Sequence, residues 1–169
     1  MVIEFWIGGI KGLAYGRPET QEAIRRTLNE LKSERQVPVG FHAGKIASFH
    51  VHNVPVGTGV PEFSDNALTV GINTATGYGG MTWWGEQILE YPDHAHWVSR
   101  NRSPPDFDPR VTADPGYPLW FDRRNVLPVQ EVALAIEEFC FNGGNRPNSI
   151  DWEPGTVNGG RLDSPDFPD

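Results

Sequence analysis

Apolar and polar positions follow two periods along this chain, one of about two residues and one of three to four. Val2 to Ile7 (VIEFWI) is apolar on both faces apart from Glu4 and reads as a strand stopped by Gly8 and Gly9. A helix is expected over about 18–35. Pro18 suits the first helical position, and Ala23, Ile24, Thr27, Leu28 and Leu31 recur at three and four. Glu19 and Glu22 sit early and Lys32 and Arg35 late, as the helix dipole favours, and Pro38 stops the run. Lys45 to Asn53 alternates, with Ala47, Phe49 and Val51 on the core side and Ile46, Ser48, His50 and His52 on the other. Ala67 to Asn73 and Gly77 to Gly85 read as a hairpin. QILEY and HWVSR read as a second pair turning at Pro92 and Asp93.

Residues 101–118 have no period and five prolines, a connection whose length marks it as functional or mobile. Leu119 to Phe121 is a short strand. The clearest helix follows, with Pro128 in its first position. Val129, Val132, Ala133, Ile136, Phe139 and Cys140 line one face, and Glu131, Glu137 and Glu138 the other. Gly143 and Gly144 stop it. In the closing strand SIDWE, Ile150 and Trp152 face the core while Ser149, Asp151 and Glu153 face outward. These elements predict an α+β fold: a mainly antiparallel sheet of about five to seven strands, two main helices (about 18–35 and 128–142) and a long proline-rich loop at 101–118. The chain reads as a single domain over 1–153. The irregular acidic stretch 154–169 is expected to be loosely held.

Charge narrows the functional classes. The net charge is −8 and it is uneven: residues 1–61 carry +2, residues 62–121 carry −5 and residues 122–169 carry −5. That balance argues against a nucleic-acid or anionic-membrane binder, which needs a basic face, and suits a soluble protein or one that meets a basic partner. A single cysteine, Cys140, excludes an internal disulfide. The opening MVIEFWIGG has neither the basic region of a signal peptide nor the length of a membrane span, so the expected location is the cytoplasm.

Two His-x-His pairs, His50/His52 and His94/His96, could each turn two imidazoles to one strand face, making them weak metal candidates against a reading as ordinary polar surface. No nucleophile, phosphate-loop or zinc-protease signature is present, and Cys140 falls on a core stripe. Asp151 and Glu153 share a strand face and, with Trp83, Trp84 or Trp97 to stack a ring, leave open a carbohydrate-binding or glycoside-processing reading. Adjacent Trp83 and Trp84 must face opposite sides of their strand. Exposed tryptophan beside acids suits a protein-recognition patch.

The last third also carries a resemblance. PLWF, the proline-initiated helix LPVQEVALAIEEF, the Gly-Gly stop, Arg146–Pro147 and a strand closing on Trp152–Glu153 resemble the closing signature of the first-numbered family of bacterial polymorphic-toxin immunity proteins, often encoded beside deaminase-fold toxins. ALTVGINTATGYGGMTWW is similar to that family's central hairpin, and PETQEAIRRTLNELKS to its first helix. The resemblance implies an α+β domain that occludes a cognate protein toxin, one to one, with no catalytic residue, cofactor or metal and no nucleic-acid or membrane partner. The contact surface expected from charge and aromatics is Trp83, Trp84, Glu86, Asp93, Trp97, Asp106, Phe107, Asp108 and Asp114, with Asp151 and Glu153. A deaminase itself would carry His-x-Glu and Pro-Cys-x-x-Cys to hold zinc, which a chain with one cysteine cannot supply.

Overall fold

The computed structural model describes residues 1–31, 44–55, 57–62, 64–85, 96–116 and 119–163, and the backbone of 35, 36, 41 and 42. The fold is α+β, as the patterning predicts. Strands β1 (Val2–Ile7) and β2 (Ile10–Tyr15) form a hairpin and lead into helix α1 (Gly16–Glu30). A two-residue ribbon, β3 (Arg35–Gln36) with β4 (Phe41–His42), precedes β5 (Ile46–His52), β6 (Asn66–Asn73), β7 (Tyr78–Gly85) and β8 (His96–Arg100). A second small ribbon pairs β9 (Thr112–Asp114) with β10 (Leu119–Trp120). β11 (Val126–Pro128) then runs into helix α2 (Val129–Phe141), and β12 (Asp151–Pro154) closes the set. The main sheet is antiparallel, in the order β12-β8-β7-β6-β5-β1-β2, with β11 paired to β7.

Alternation along the strands gives the sheet two unlike faces. On the first, Ile3, Phe5, Ile7, Phe49, Leu68, Val70, Ile72 and Met81 meet both helices in the principal core. Phe139, Ile136, Val132, Ala135 and Cys140 of α2 are fully buried there. Burial of each of the larger ones, Phe139, Ile136 and Val132, stabilises the fold by about 1.5–3 kcal/mol relative to exposure. On the second face, Val98, Val111, Ala113, Phe121 and Val126 make a smaller core with Tyr78 beside it.

That second core depends on two glycines. Gly71 of β6 and Gly80 of β7 lie directly opposite one another. A Cβ on Gly71 would sit 1.9 Å from the Thr112 carbonyl oxygen, and one on Gly80 would sit 2.5 Å from the Phe121 ring. The bare backbone forms a trench that admits β9 and Phe121. Part of the 101–118 segment therefore becomes a packed layer instead of a free loop. The stretch after β12 is held too: Gly155 bridges to Arg161, and Gly159 packs against Phe121 and Ala113.

Several local expectations are corrected. The Gly8–Gly9 stop is a hairpin turn with both residues at positive φ (56° and 85°), and the strand it feeds, β2, was not expected. Helix α1 starts at Gly16, where a φ of 73° swings the chain out of β2, so Pro18 occupies the third position. The Tyr15 N–H donates to the Glu19 carboxylate at 2.8 Å, which serves a donor the helix start would leave open. The helix ends at Glu30, because Leu31 turns extended (ψ 121°) and is buried whole, and Arg35 belongs to β3. Pro128 ends β11 and caps α2 from outside instead of opening it, and Ala135, not Ala133, completes the buried stripe. The strand pair expected at QILEY lies outside the described residues, while HWVSR is β8.

Gly71→Ala should therefore destabilise the protein by about 1–3 kcal/mol or more through overpacking, read by urea unfolding. Gly59→Ala, where nothing lies within 4 Å of the new Cβ, should stay within about 0.5 kcal/mol of the parent. Equal effects at the two sites would refute the trench.

Candidate protein-binding surface

The segment after β8 rises out of the second core and turns back at Asp106–Arg110. Its tip is built from inside. The Asn73 side-chain amide donates to the carbonyls of Pro109 (2.7 Å) and Arg110 (3.4 Å), and the Thr76 hydroxyl donates to Pro109 at 3.3 Å. Asn73 also accepts from Ala75 N–H at 3.0 Å, so one buried side chain ties the β6–β7 turn to the tip. The Asp108 carboxylate accepts the Arg110 N–H at 2.9 Å. Arg110 is the one non-glycine with positive φ (51°) among the described residues, and its guanidinium lies 3.9 Å from the centre of the Trp120 ring. A conformation of this kind persists only where its surroundings over-determine it.

What the tip presents is Asp106 and Phe107. Phe107 is 46% exposed, and its ring meets Tyr78 edge-on at 5.8 Å. Asp106 is exposed, whereas Asp108 and Asp114 are spent on turns, the latter accepting from Gly116 N–H at 2.8 Å. The acids of β12 are spent as well. Asp151 takes a two-bond grip from Arg102, the Nη2 bond at 2.8 Å, and this hydrogen bond holds its carboxyl below the usual range. Glu153 accepts from the Asn125 amide at 2.7 Å and pairs with Arg161 Nε at 2.9 Å. Arg161 is only 3% exposed and also reaches Asp122 and Asp163. This ion network fastens the stretch up to Asp163 to the sheet edge, where composition alone suggests a loose segment.

The tryptophans divide by face. Trp83 and Trp97 are each 4% exposed on the core side, while Trp84, like Trp6 and Trp120, remains half-buried. Trp83 donates its indole N–H to the Gly144 carbonyl at 3.1 Å. Arg146 lays its guanidinium 4.0 Å over Trp97 and 6.0 Å from Trp83. The indole N–H of Trp152 donates to the Pro147 carbonyl at 2.7 Å. The Gly-Gly-Asn-Arg-Pro turn is thus the clamp that seats three tryptophans, and Gly144 sits so close to Asn66 that a Cβ there would meet it at 2.5 Å. Glu138, expected on the outer helix face, completes this clamp by accepting the N–H groups of Asn148 (2.8 Å) and Ser149 (2.9 Å). Partial burial pushes its carboxyl up, but those amides outweigh it and leave the pKa lowered. Glu86 and Asp93 lie outside the described residues.

The other candidate chemistry does not assemble. His50 and His52 sit on β5 and His96 on β8, three strand spacings or roughly 14 Å away, and His94 is outside the described residues. His52 lies 3.4 Å from Glu4, while His50 Nδ1 contacts the Asn66 carbonyl at 3.0 Å. Among the described residues no three His, Cys, Asp or Glu side chains gather as a metal would require. Of the sugar-processing pair, Asp151 is held lowered by Arg102, opposite to what a general acid needs, and Glu153 is engaged by Asn125 and Arg161. Burial pushes the Cys140 thiol up to about 12, which suits packing and not nucleophilic work. The residues that build the tip, Asn73, Tyr78, Arg110 and Trp120, carried no signal in the sequence beyond Asn73 standing at a strand end.

Glu138→Gln should cost about 1–2 kcal/mol at pH 7, because two backbone donors lose a charged acceptor at a half-buried site. A depressed carboxyl contributes its stability above its unfolded pKa and loses it as pH falls through the folded value. The deficit, followed by thermal melts, should accordingly shrink in acid below the ordinary carboxylate range; a deficit independent of pH would exclude the charged cap.

No curated protein and no solved structure matches the chain significantly. The family described as Immunity protein Imm1 matches residues 18–154, from the first helix through β12, and so takes in the glycine trench, the Asp106–Phe107 tip and the Trp–Arg clamp. The match spans most of the 169 residues, and the chain belongs to the Imm1 family of immunity proteins, whose role is to neutralise a toxin.

Proposed function

We propose that this chain neutralises its cognate toxin one to one by seating the Asp106–Arg110 tip in the toxin's substrate groove. The toxin would be a deaminase-type enzyme acting on nucleic acid inside the cytoplasm. The observation that carries the reading is the tip itself. It holds an exposed phenylalanine beside an exposed carboxylate on a backbone fixed by Asn73, Thr76 and Asp108 before any partner arrives. A preformed loop avoids the ordering cost that a flexible one meets on binding. An aromatic side chain near the centre of an interface is the type that dominates binding energy. A toxin that handles nucleic acid needs a basic groove for the phosphates. The −5 charge of residues 62–121 complements such a groove and raises the association rate.

The toxin encoded beside this gene supplies the test. Phe107→Ala should weaken its binding by at least roughly thirtyfold, about 2 kcal/mol, mainly through faster dissociation. Asp106→Lys should act mainly on the association rate and on its salt dependence. Rescue of toxin-expressing cells should fall in parallel. If both variants bind and rescue like the parent, the tip is not the contact. If the neighbouring toxin deaminates no nucleic acid, the chemistry assigned to it is wrong even where the contact holds.

A further inference from the structure

The main sheet ends in two unlike edges. At one, β12 is four residues long, contains Pro154, carries Asp151 and Glu153, and is followed at once by the Gly155–Arg161 bridge. Those are the devices that keep an edge from pairing. At the other, β2 runs six residues with no proline, and no strand among the described residues covers it. Ile10 is 63% exposed, Leu13 38% and Tyr15 40%.

The hairpin decides which of its backbone groups are open. Ile7 and Ile10 flank a two-residue turn and pair directly, so Ile10, Gly12 and Ala14 bond inward to β1 while Lys11, Leu13 and Tyr15 point outward. The Gly8 N–H bonding to Ile46 on the opposite side of β1 fits this phase. The Tyr15 N–H is already taken by Glu19. The N–H groups of Lys11 and Leu13 have no partner among the described residues.

We propose that β2 pairs antiparallel with β2 of a second copy of this chain, with the two-fold axis at Gly12. In that register Lys11 and Leu13 of one copy face Leu13 and Lys11 of the other, and all four open N–H groups meet carbonyls without using Tyr15. Ile10 comes opposite Ala14 of the second copy, which covers the most exposed apolar side chain of the edge. No like charges oppose each other directly, and each Lys11 ammonium keeps its own Glu4 carboxylate at 2.9 Å. Charge opposes self-pairing least at this edge. A basic partner is drawn to residues 62–169, which hold −10, whereas residues 1–61 hold +2, so two copies meet through the least acidic part of the chain. The pairing leaves each Asp106–Arg110 tip outside the contact.

Sedimentation velocity of the purified full chain, over a concentration range on the order of a hundredfold, tests this. The expected result is a concentration-dependent species at twice 18.8 kDa. Leu13→Lys, which sets lysine against lysine across the axis, should weaken the dimer at least tenfold. It places the new lysine beside Glu4 of its own chain, so folding is retained, as circular dichroism would verify. Leu13→Glu, which faces the second copy's Lys11, should dimerise more strongly than Leu13→Lys. A parent chain that stays at 18.8 kDa throughout overturns the proposal, and if Leu13→Lys then lowers toxin affinity the edge takes a toxin strand instead. A dimer indifferent to both variants overturns it as well, because the contact then lies elsewhere.

Discussion

The facing pair Gly71 and Gly80 is the constraint on which the second half of the structure depends. A sheet face normally presents a layer of side chains about as thick as the side chains are long. Here two bare positions in register let a backbone carbonyl and a phenylalanine ring drop to the strand level. The segment from Val111 to Val126 can then bury apolar side chains against a sheet already covered by helices on its other face. Without the trench, that segment would have no place to lodge. The proline-rich stretch before it would have no fixed end.

Fixing that end has a consequence at the tip. Val111 is fully buried directly after Arg110, and Asn73 reaches across from the neighbouring strand end to hold Pro109 and Arg110. The positive φ of Arg110 is tolerated because both flanks are anchored. The tip is therefore anchored to the core below it, while Phe107 and Asp106 stay in solvent. The C-terminal stretch contributes from the side: Gly159 packs on Phe121, and Arg161 locks Glu153, Asp122 and Asp163 together. Much of the acidic charge that composition suggests for binding is consumed in this internal bracing. Asp106 is left as the acid offered by the tip.

Periodicity made the first-face architecture readable. Phe49, Val70, Ile136 and Phe139 fall where alternation or a helical stripe places them, because each strand or helix needs only its own residues to declare a buried side. The second face was not readable in that way. Its partners, Gly71 with Thr112 and Gly80 with Phe121, are far apart in sequence, and a glycine inside a strand reads as a weakness before its neighbour is known. The same limit misplaced Trp83 and Trp97, whose burial depends on Gly144 and Arg146 arriving from beyond α2. β2 was hidden because Lys11 and Gly12 blur its alternation, although paired glycines between Ile7 and Ile10 are a hairpin signal in their own right. Of the candidate contact residues, Asp106, Phe107 and Asp108 are left exposed by the fold, and Asp108 already accepts the Arg110 N–H. Asp108, Asp114, Asp151 and Glu153 are acids whose structural duties no single-sequence pattern reveals.

The most direct measurement is photo-crosslinking from position 107 in the complex with the neighbouring toxin, using a benzophenone amino acid in place of Phe107 and, as a control, in place of exposed Leu134 on α2. The expected result is a one-to-one adduct from position 107 to peptides lining the toxin's substrate groove, and none from position 134. Adducts from position 134 with none from position 107, in a complex that still protects cells, would contradict it and move the toxin to the helical side of the sheet.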